Sequence, residues 1–347
     1  MSTILDGITA QLVQTPRLSA QVLERAAPDT ATTVVFVHGN VSSSLFFQPT
    51  MLALPAHLRA LAIDLRGFGD SETLPVDATR GVRDFSDDVA SVLDALGLSA
   101  AHIVGWSLGG GVVMQLLLDR PDLVASLTLE APVSPYGFGS TALDGTLLND
   151  GAGSGGGGAN PDFIARLESG DTTAEAQTSP RTVYRTAYVK NPDAVEHEDL
   201  WVESMLTTAT GEGNYPGNSV ATDTWPGFGP GTTGVLNTLT PNNLNLSGIV
   251  DISAKPPILW VRGLDDVIVS DTSFFDLNFL GQLGVIPGWP GADAAPAQPM
   301  VTQTRAVLDA YAAAGGTYRE LALPECGHSP HLEHPTEFVA ALVEHIS

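Results

Sequence analysis

The stretch His102-Ile103-Val104-Gly105-Trp106-Ser107-Leu108-Gly109-Gly110-Gly111-Val112-Val113-Met114-Gln115-Leu116 decides the fold. A short β-branched run ends in Gly105-Trp106-Ser107-Leu108-Gly109, a match to G-x-S-x-G, and an apolar helical run follows at once. A serine on a sharp strand-to-helix turn is held in strained backbone geometry, and small neighbours let adjacent chain pass close by. The turn lifts the hydroxyl to the carboxyl end of the sheet and aims a helix N-terminus at it. Three fixed positions in five recur by chance, so the strand before and the helix after carry the weight. Ser107 is therefore read as a nucleophile.

The same rhythm extends outward on both sides. Val34–Val37, Ala60–Ile63, Ser126–Leu129 and Ile258–Val261 read as further buried strands bounded by turn residues. Helical spacing marks about Asp84–Leu96, Leu108–Arg120, Val301–Ala314 and Pro335–Ile346; in the first, Phe85, Val89, Val92, Leu93 and Leu96 form one apolar face. Alternation of this kind predicts a mostly parallel sheet with helices on both faces. It fails over residues 134–253, rich in Gly, Thr, Asn and Pro, which reads as a lid inserted into a core made of residues 1–133 and 254–347. Within it Gly151, Gly153 and Gly156 satisfy G-x-G-x-x-G, but no strand precedes and no helix follows, so a flexible connector is expected rather than a dinucleotide site. A second irregular stretch, Gly281–Pro299, is expected to form a long loop near the same end.

Composition narrows the class. The 347 residues are 43% hydrophobic and 16% charged, enough for a sizeable core. Fifteen Lys+Arg against 39 Asp+Glu leave a net charge of −24, a field that repels nucleic acid and anionic membrane surfaces. Cys326 is the single cysteine, so no internal disulfide forms. The start Met1-Ser2-Thr3-Ile4-Leu5-Asp6 lacks the pattern of a signal peptide, and no apolar run approaches the roughly 18 residues of a membrane span. A cytoplasmic protein is expected; its oligomeric state is not legible.

Two more strand ends bear chemistry. Val37-His38-Gly39-Asn40 supplies a loop whose Asn40 N–H, with that of Leu108, suits an oxyanion; His38 is read as a brace for that loop. Arg262-Gly263-Leu264-Asp265-Asp266 follows the strand after the insertion, and Glu325-Cys326-Gly327-His328 lies near the C-terminus. The order Ser, Asp, His is that of a triad built on strand ends. Spacing three apart makes His328, His331 and His334 a nominal metal set, but Pro330 interrupts any helix and no Cys or acidic cluster completes it, so no metal is expected. Trp106 beside the serine, Val267 beside the acid, and Trp201 and Trp225 in the insertion are candidate pocket walls.

Together these motifs resemble the α/β-hydrolase fold. Asp64-Leu65-Arg66-Gly67-Phe68-Gly69-Asp70-Ser71 is similar to the family's D-x-R-G-x-G-x-S loop, and Gly327-His328-Ser329-Pro330-His331-Leu332-Glu333-His334-Pro335 to its histidine loop. The family's acid lies three residues after the strand-end glycine, which implies Asp266 rather than Asp265. His38-Gly39-Asn40, Trp106 and Glu130 resemble haloalkane dehalogenases and epoxide hydrolases, yet those need a carboxylate nucleophile where this chain has Ser107. A serine suits acyl transfer to water instead. Glu130 stays open as an alternative acid. The resemblance implies a cofactor-free serine hydrolase for a carboxylic ester, lactone or thioester. Carbon–carbon bond hydrolysis, acyl transfer, cofactor-free oxygen chemistry and a non-catalytic ligand receptor remain as alternatives. The few lid cations, Arg166, Arg181, Arg185 and Lys190, favour an uncharged small-molecule substrate.

Overall fold

The computed structural model describes residues 3–28 and 32–347; Met1, Ser2 and residues 29–31 lie outside it. Ten strands are present among the described residues: β1 Thr9–Gln14, β2 Ser19–Arg25, β3 Thr32–Val37, β4 Leu58–Ile63, β5 Ala101–Trp106, β6 Val124–Glu130, β7 Ser219–Ala221, β8 Phe228–Pro230, β9 Ile258–Gly263 and β10 Tyr318–Leu323. Eight build one sheet in the order β1-β2-β4-β3-β5-β6-β9-β10. From β4 to β10 every pairing is parallel, while β1–β2 and β2–β4 are antiparallel. Val34, Val35, Phe36 and Val37 in β3 are fully buried, as continuous apolar strands covered on both faces must be.

The expected helices form at Arg83–Ala95, Leu108–Asp119, Met300–Ala313 and Pro335–Ile346, within about a residue of the periodicity. The β1–β2 hairpin escaped the sequence reading because β1 buries one of its six residues, Val13, and so shows no apolar run.

From β3 the chain steps to β4 on one side and then to β5 on the other, so the strand order reverses between β3 and β5. The loops leaving their carboxyl ends diverge there and open a crevice. The Asp64–Ser71 loop after β4 braces one wall. Asp64, 3% exposed, accepts from the Ser44 amide at 2.7 Å and the Asp70 amide at 3.0 Å, and Arg66 grips Asp88 through Nε and Nη2 at 2.6 and 2.8 Å.

Residues 134–253 leave β6 and return before β9, carrying short helices at Pro161–Ser169 and Glu198–Leu206 and the β7–β8 hairpin. The glycine-rich stretch is not the flexible connector expected. It is packed: Gly151, Gly153 and Gly155–Gly157 are buried, and a Cβ on Gly153 would lie 2.2 Å from Asn278 Oδ1. Glycine serves close packing here, and no dinucleotide-type strand–loop–helix surrounds it.

Candidate active site

Ser107 occupies the corner between β5 and the helix Leu108–Asp119, with φ 57° and ψ −117°. This left-handed region is uncommon for a non-glycine residue and marks stored strain. Its neighbours explain how the turn fits. A Cβ on Gly105 would fall 2.4 Å from the Gly109 carbonyl oxygen, and one on Gly109 2.2 Å from that of Val37. The turn is therefore pressed against the end of β3, and the Ser107 amide donates to the Glu130 carbonyl at 2.9 Å.

Asp266 and His328 are brought together. His328 Nδ1 lies 2.8 Å from Asp266 Oδ2, and both side chains are 2% exposed. Asp266 Oδ1 also accepts from the amides of Ile268 at 2.8 Å and Val269 at 3.0 Å, which fixes the carboxylate in its loop. With Nδ1 turned to the carboxylate, Nε2 is the free ring nitrogen. Asp265 turns away and pairs with Lys190 Nζ at 3.1 Å. The histidine loop is tied to the elbow by Trp106, whose indole N–H donates to the His328 carbonyl at 2.7 Å. No hydrogen bond joins the Ser107 hydroxyl to His328 among the described residues; in free enzymes such contacts are commonly long and tighten around substrate.

Ser107 forms the wall of a cavity of about 150 Å³ together with Asn40 and Leu108. Neither of those two amides donates to a protein acceptor among the described residues. Val133, Phe138, Leu236, Leu239, Ile268 and Phe275 supply apolar surface, Gly156 and Gly158 supply bare backbone, and no charged side chain lines it. The cations of residues 134–253 are instead neutralised locally: Arg166 by Asp162 and Asp171, Arg181 by Glu198 and Asp199, Arg185 by Asp193 and Glu198.

The four expected pocket walls are misplaced. Trp106 is fully buried under the elbow, its N–H spent on the histidine loop. Trp201 packs on Phe46 with ring centroids 5.0 Å apart and donates to the Glu196 carbonyl, so it anchors the insertion to the core. Trp225 donates to the Pro287 carbonyl and packs against Gly281, joining the insertion to the segment from Gly281 to Pro299. Val267 is absent from the lining; the chain turns so that Ile268 and Val269 face the cavity instead. An indole needs a partner for its N–H when buried, and these find theirs in backbone away from the cavity.

Glu130 does not reach His328. Its Oε1 accepts from His331 Nδ1 at 2.7 Å and from the His331 amide at 2.8 Å, and both side chains are fully buried. His328, His331 and His334 thus face Asp266, Glu130 and the Glu325 carbonyl respectively and do not converge. Among the described residues no group of three or more His, Cys, Asp or Glu side chains is placed to hold a metal ion. Cys326 is buried, which pushes its thiol pKa up and leaves it a small apolar residue.

His38 is bonded into the loop that follows β3. Its Nε2 accepts from the Leu65 amide at 3.0 Å, which leaves Nδ1 to donate to the Gly39 carbonyl at 2.7 Å. Complete burial holds its pKa down to about 4. The sequence reading missed Tyr188 and Ser42, which hold the same loop, and Glu333, which accepts from the amides of Gly327 and Lys190. Glu333 had a signal in its place in the histidine motif; Tyr188, inside the irregular insertion, had none.

A family model described as the α/β hydrolase fold matches residues 32–170. The carboxylesterase YbfK of Bacillus subtilis (strain 168) is 30% identical over 111 residues, 32% of this chain and 37% of the relative. The dihydrolipoyllysine-residue acetyltransferase component of the acetoin cleaving system of Cupriavidus necator is 38% identical over 118 residues, 33% of this chain and 29% of the relative. The matches thus span about a third of those curated relatives' length. Among solved structures, an esterase from Exiguobacterium antarcticum superposes with a TM-score of 0.60 at 16% identity, covering 97% of this chain and 99% of that one, a likeness of fold. No helix among the described residues is long and apolar enough to cross a membrane. Sheet order, elbow, histidine loop and family match agree: this chain has the α/β-hydrolase fold.

Proposed function

We propose that the protein is a cofactor-independent serine hydrolase that cleaves a small uncharged carboxylic ester, lactone or thioester. One observation carries the reading: Ser107, strained at a helix N-terminus, borders an uncharged cavity beside two unpaired amides. Ser107 Oγ attacks the acyl carbon as His328 Nε2 removes its proton. Asp266 holds the imidazole tautomer and stabilises the imidazolium. The Asn40 and Leu108 amides receive the negative oxygen of the tetrahedral intermediate; losing one such donor typically costs about 100- to 1,000-fold in rate. His328 protonates the leaving alcohol or thiol, then takes a proton from water, which opens the acyl-enzyme and restores Ser107. The apolar lining and the neutralised lid cations support an uncharged substrate.

A fluorophosphonate probe followed by intact mass tests this, with turnover of p-nitrophenyl acetate beside it. One adduct on the parent and none on Ser107→Ala is expected. A full adduct on the alanine variant overturns the assignment, and labelling without turnover favours a ligand receptor. Acyl transfer is the second reading, supported by the acetyltransferase among the relatives. Release of free acid, rather than its passage to an added thiol or alcohol, separates the two.

A further inference from the structure

The amide proposed to receive the oxyanion belongs to the Gly39–Asn40 peptide, and that peptide is held from both ends. Its carbonyl oxygen, on Gly39, accepts from His38 Nδ1 at 2.7 Å and from Ser42 Oγ at 2.9 Å. Two donors on the carbonyl polarise the unit and strengthen its N–H as a donor, because hydrogen bonds in a low-dielectric interior reinforce one another. The next carbonyl, on Asn40, accepts from the Tyr188 hydroxyl at 2.8 Å, with the Val41 carbonyl 3.2 Å from the same oxygen. Val41 has φ 46°, a strained conformation for a β-branched residue, so the loop needs such restraint.

Tyr188 comes from the lid, 148 positions along the chain from Asn40. Its ring is buried, edge-on to Trp106 at 5.8 Å and to His328 at 6.3 Å. The residues just after it are tied to the histidine loop: the amides of Lys190 and Asn191 donate to Glu333 Oε2 at 2.6 and 3.3 Å, while Glu333 Oε1 accepts from the Gly327 amide at 2.7 Å. Segment 188–191 is thus a strap across both loops.

We propose that Tyr188 is a positioning residue through which the lid sets the Asn40 amide for the oxyanion, with Ser42 acting on the same peptide from the core. The inference rests on the serine-hydrolase reading. Tyr188 does not line the cavity, so its effect belongs in the transition state and not in substrate binding. Tyr184 supplies a matched control in the same turn, since its buried hydroxyl has no partner.

Steady-state turnover of p-nitrophenyl acetate and inhibition by a trifluoromethyl ketone, beside its methyl ketone analogue, test the proposal. Loss of one positioning hydrogen bond should lower kcat about tenfold in Tyr188→Phe with KM unchanged. Trifluoromethyl ketone inhibition should weaken by the same factor, because its adduct bears the oxyanion, while the methyl ketone is unaffected. Ser42→Ala should move both readouts in the same direction, and Tyr184→Phe should move neither. Thermal unfolding checks each fold; if Tyr188→Phe does not fold, Ser42→Ala decides. Parental kcat and inhibition, or a raised KM at constant kcat, overturn the proposal. A parent that takes no phosphonate on Ser107 removes the serine reading and this inference with it. A labelled, active parent beside an unaltered Tyr188→Phe removes this inference alone.

Discussion

Two carboxylate–histidine pairs stand at neighbouring strand ends, and they differ in what surrounds them. After β9, Asp266 meets His328 at 2.8 Å; at the last residue of β6, Glu130 meets His331 at 2.7 Å. The first carboxylate is completed by two amides of its own loop, and its histidine lies beside the residue next to Ser107. The second pair is sealed among the rings of Phe46, Phe47, Trp106 and Phe338, and both Glu130 Oε2 and His331 Nε2 lack partners. The same two residue types therefore suit opposite tasks. A histidine ordered by a carboxylate, with its other ring nitrogen uncommitted, is equipped to move a proton; one boxed in aromatics can only pin two loops together. Glu130 does this through backbone as well, since its carbonyl accepts from the Ser107 amide.

The sharpest way to break this comparison is to neutralise each acid. Asp266→Asn is expected to lower turnover roughly 10,000-fold with KM little changed, the scale known from a protease triad. Glu130→Gln should keep most of the turnover per folded molecule. Steady-state kinetics on variants shown folded by circular dichroism decide it, and the reverse pattern would move the acid to β6.

Stability should respond in the opposite sense. Glu130→Ala leaves a fully buried histidine without its partner and is expected to cost about 3–5 kcal/mol in urea unfolding. A cost below about 1 kcal/mol would mean that the sealed pair pins nothing.

His38 extends the comparison to a buried histidine with no carboxylate, its neutral form held by the Leu65 amide. The unfolded chain takes up this proton near 6.5, whereas the folded protein resists until about 4. The associated stability is complete above pH 6.5 and is lost as pH falls toward 4. At about 1.4 kcal/mol per pH unit, the parent should lose about 3 kcal/mol more than His38→Gln across that window. Urea unfolding at the two pH values checks it; equal losses would show that His38 does not govern the acid limb.

The smallest effect belongs to Asp265→Asn. Asp265 and Lys190 are substantially solvent-exposed, and such pairs contribute about 0–1 kcal/mol. Turnover should stay at the parental value, and a catastrophic loss would shift the acid by one residue.

The parts of the protein that were legible share a physical origin. G-x-S-x-G, the strand after the insertion and the histidine loop each encode local backbone geometry: a strained turn, a close approach, a strand end. Such constraints act over a few residues and leave their mark in consecutive sequence; the preference for Asp266 over Asp265 came from the resemblance to the family's motif. The insertion follows another rule. Its glycines Gly151–Gly158 read as a loose connector, yet they pack into the cavity wall because Asn278 and Gly229 come against them from distant segments. Trp201 and Trp225 looked like pocket walls by type alone, and the N–H partners that drew them elsewhere lie in the fold.

The sequence by itself determined the strand–helix alternation, the elbow at Ser107 and the candidate acid and base, because periodicity and turn chemistry are local. Tertiary structure alone decided that His328 takes Asp266 while His331 takes Glu130, that the cavity is lined by Phe138, Leu236 and Leu239, and that Tyr188 reaches Asn40. Each of these is a contact between segments far apart in the chain, fixed by packing across the sheet and the insertion above it, and no pattern in consecutive residues records it.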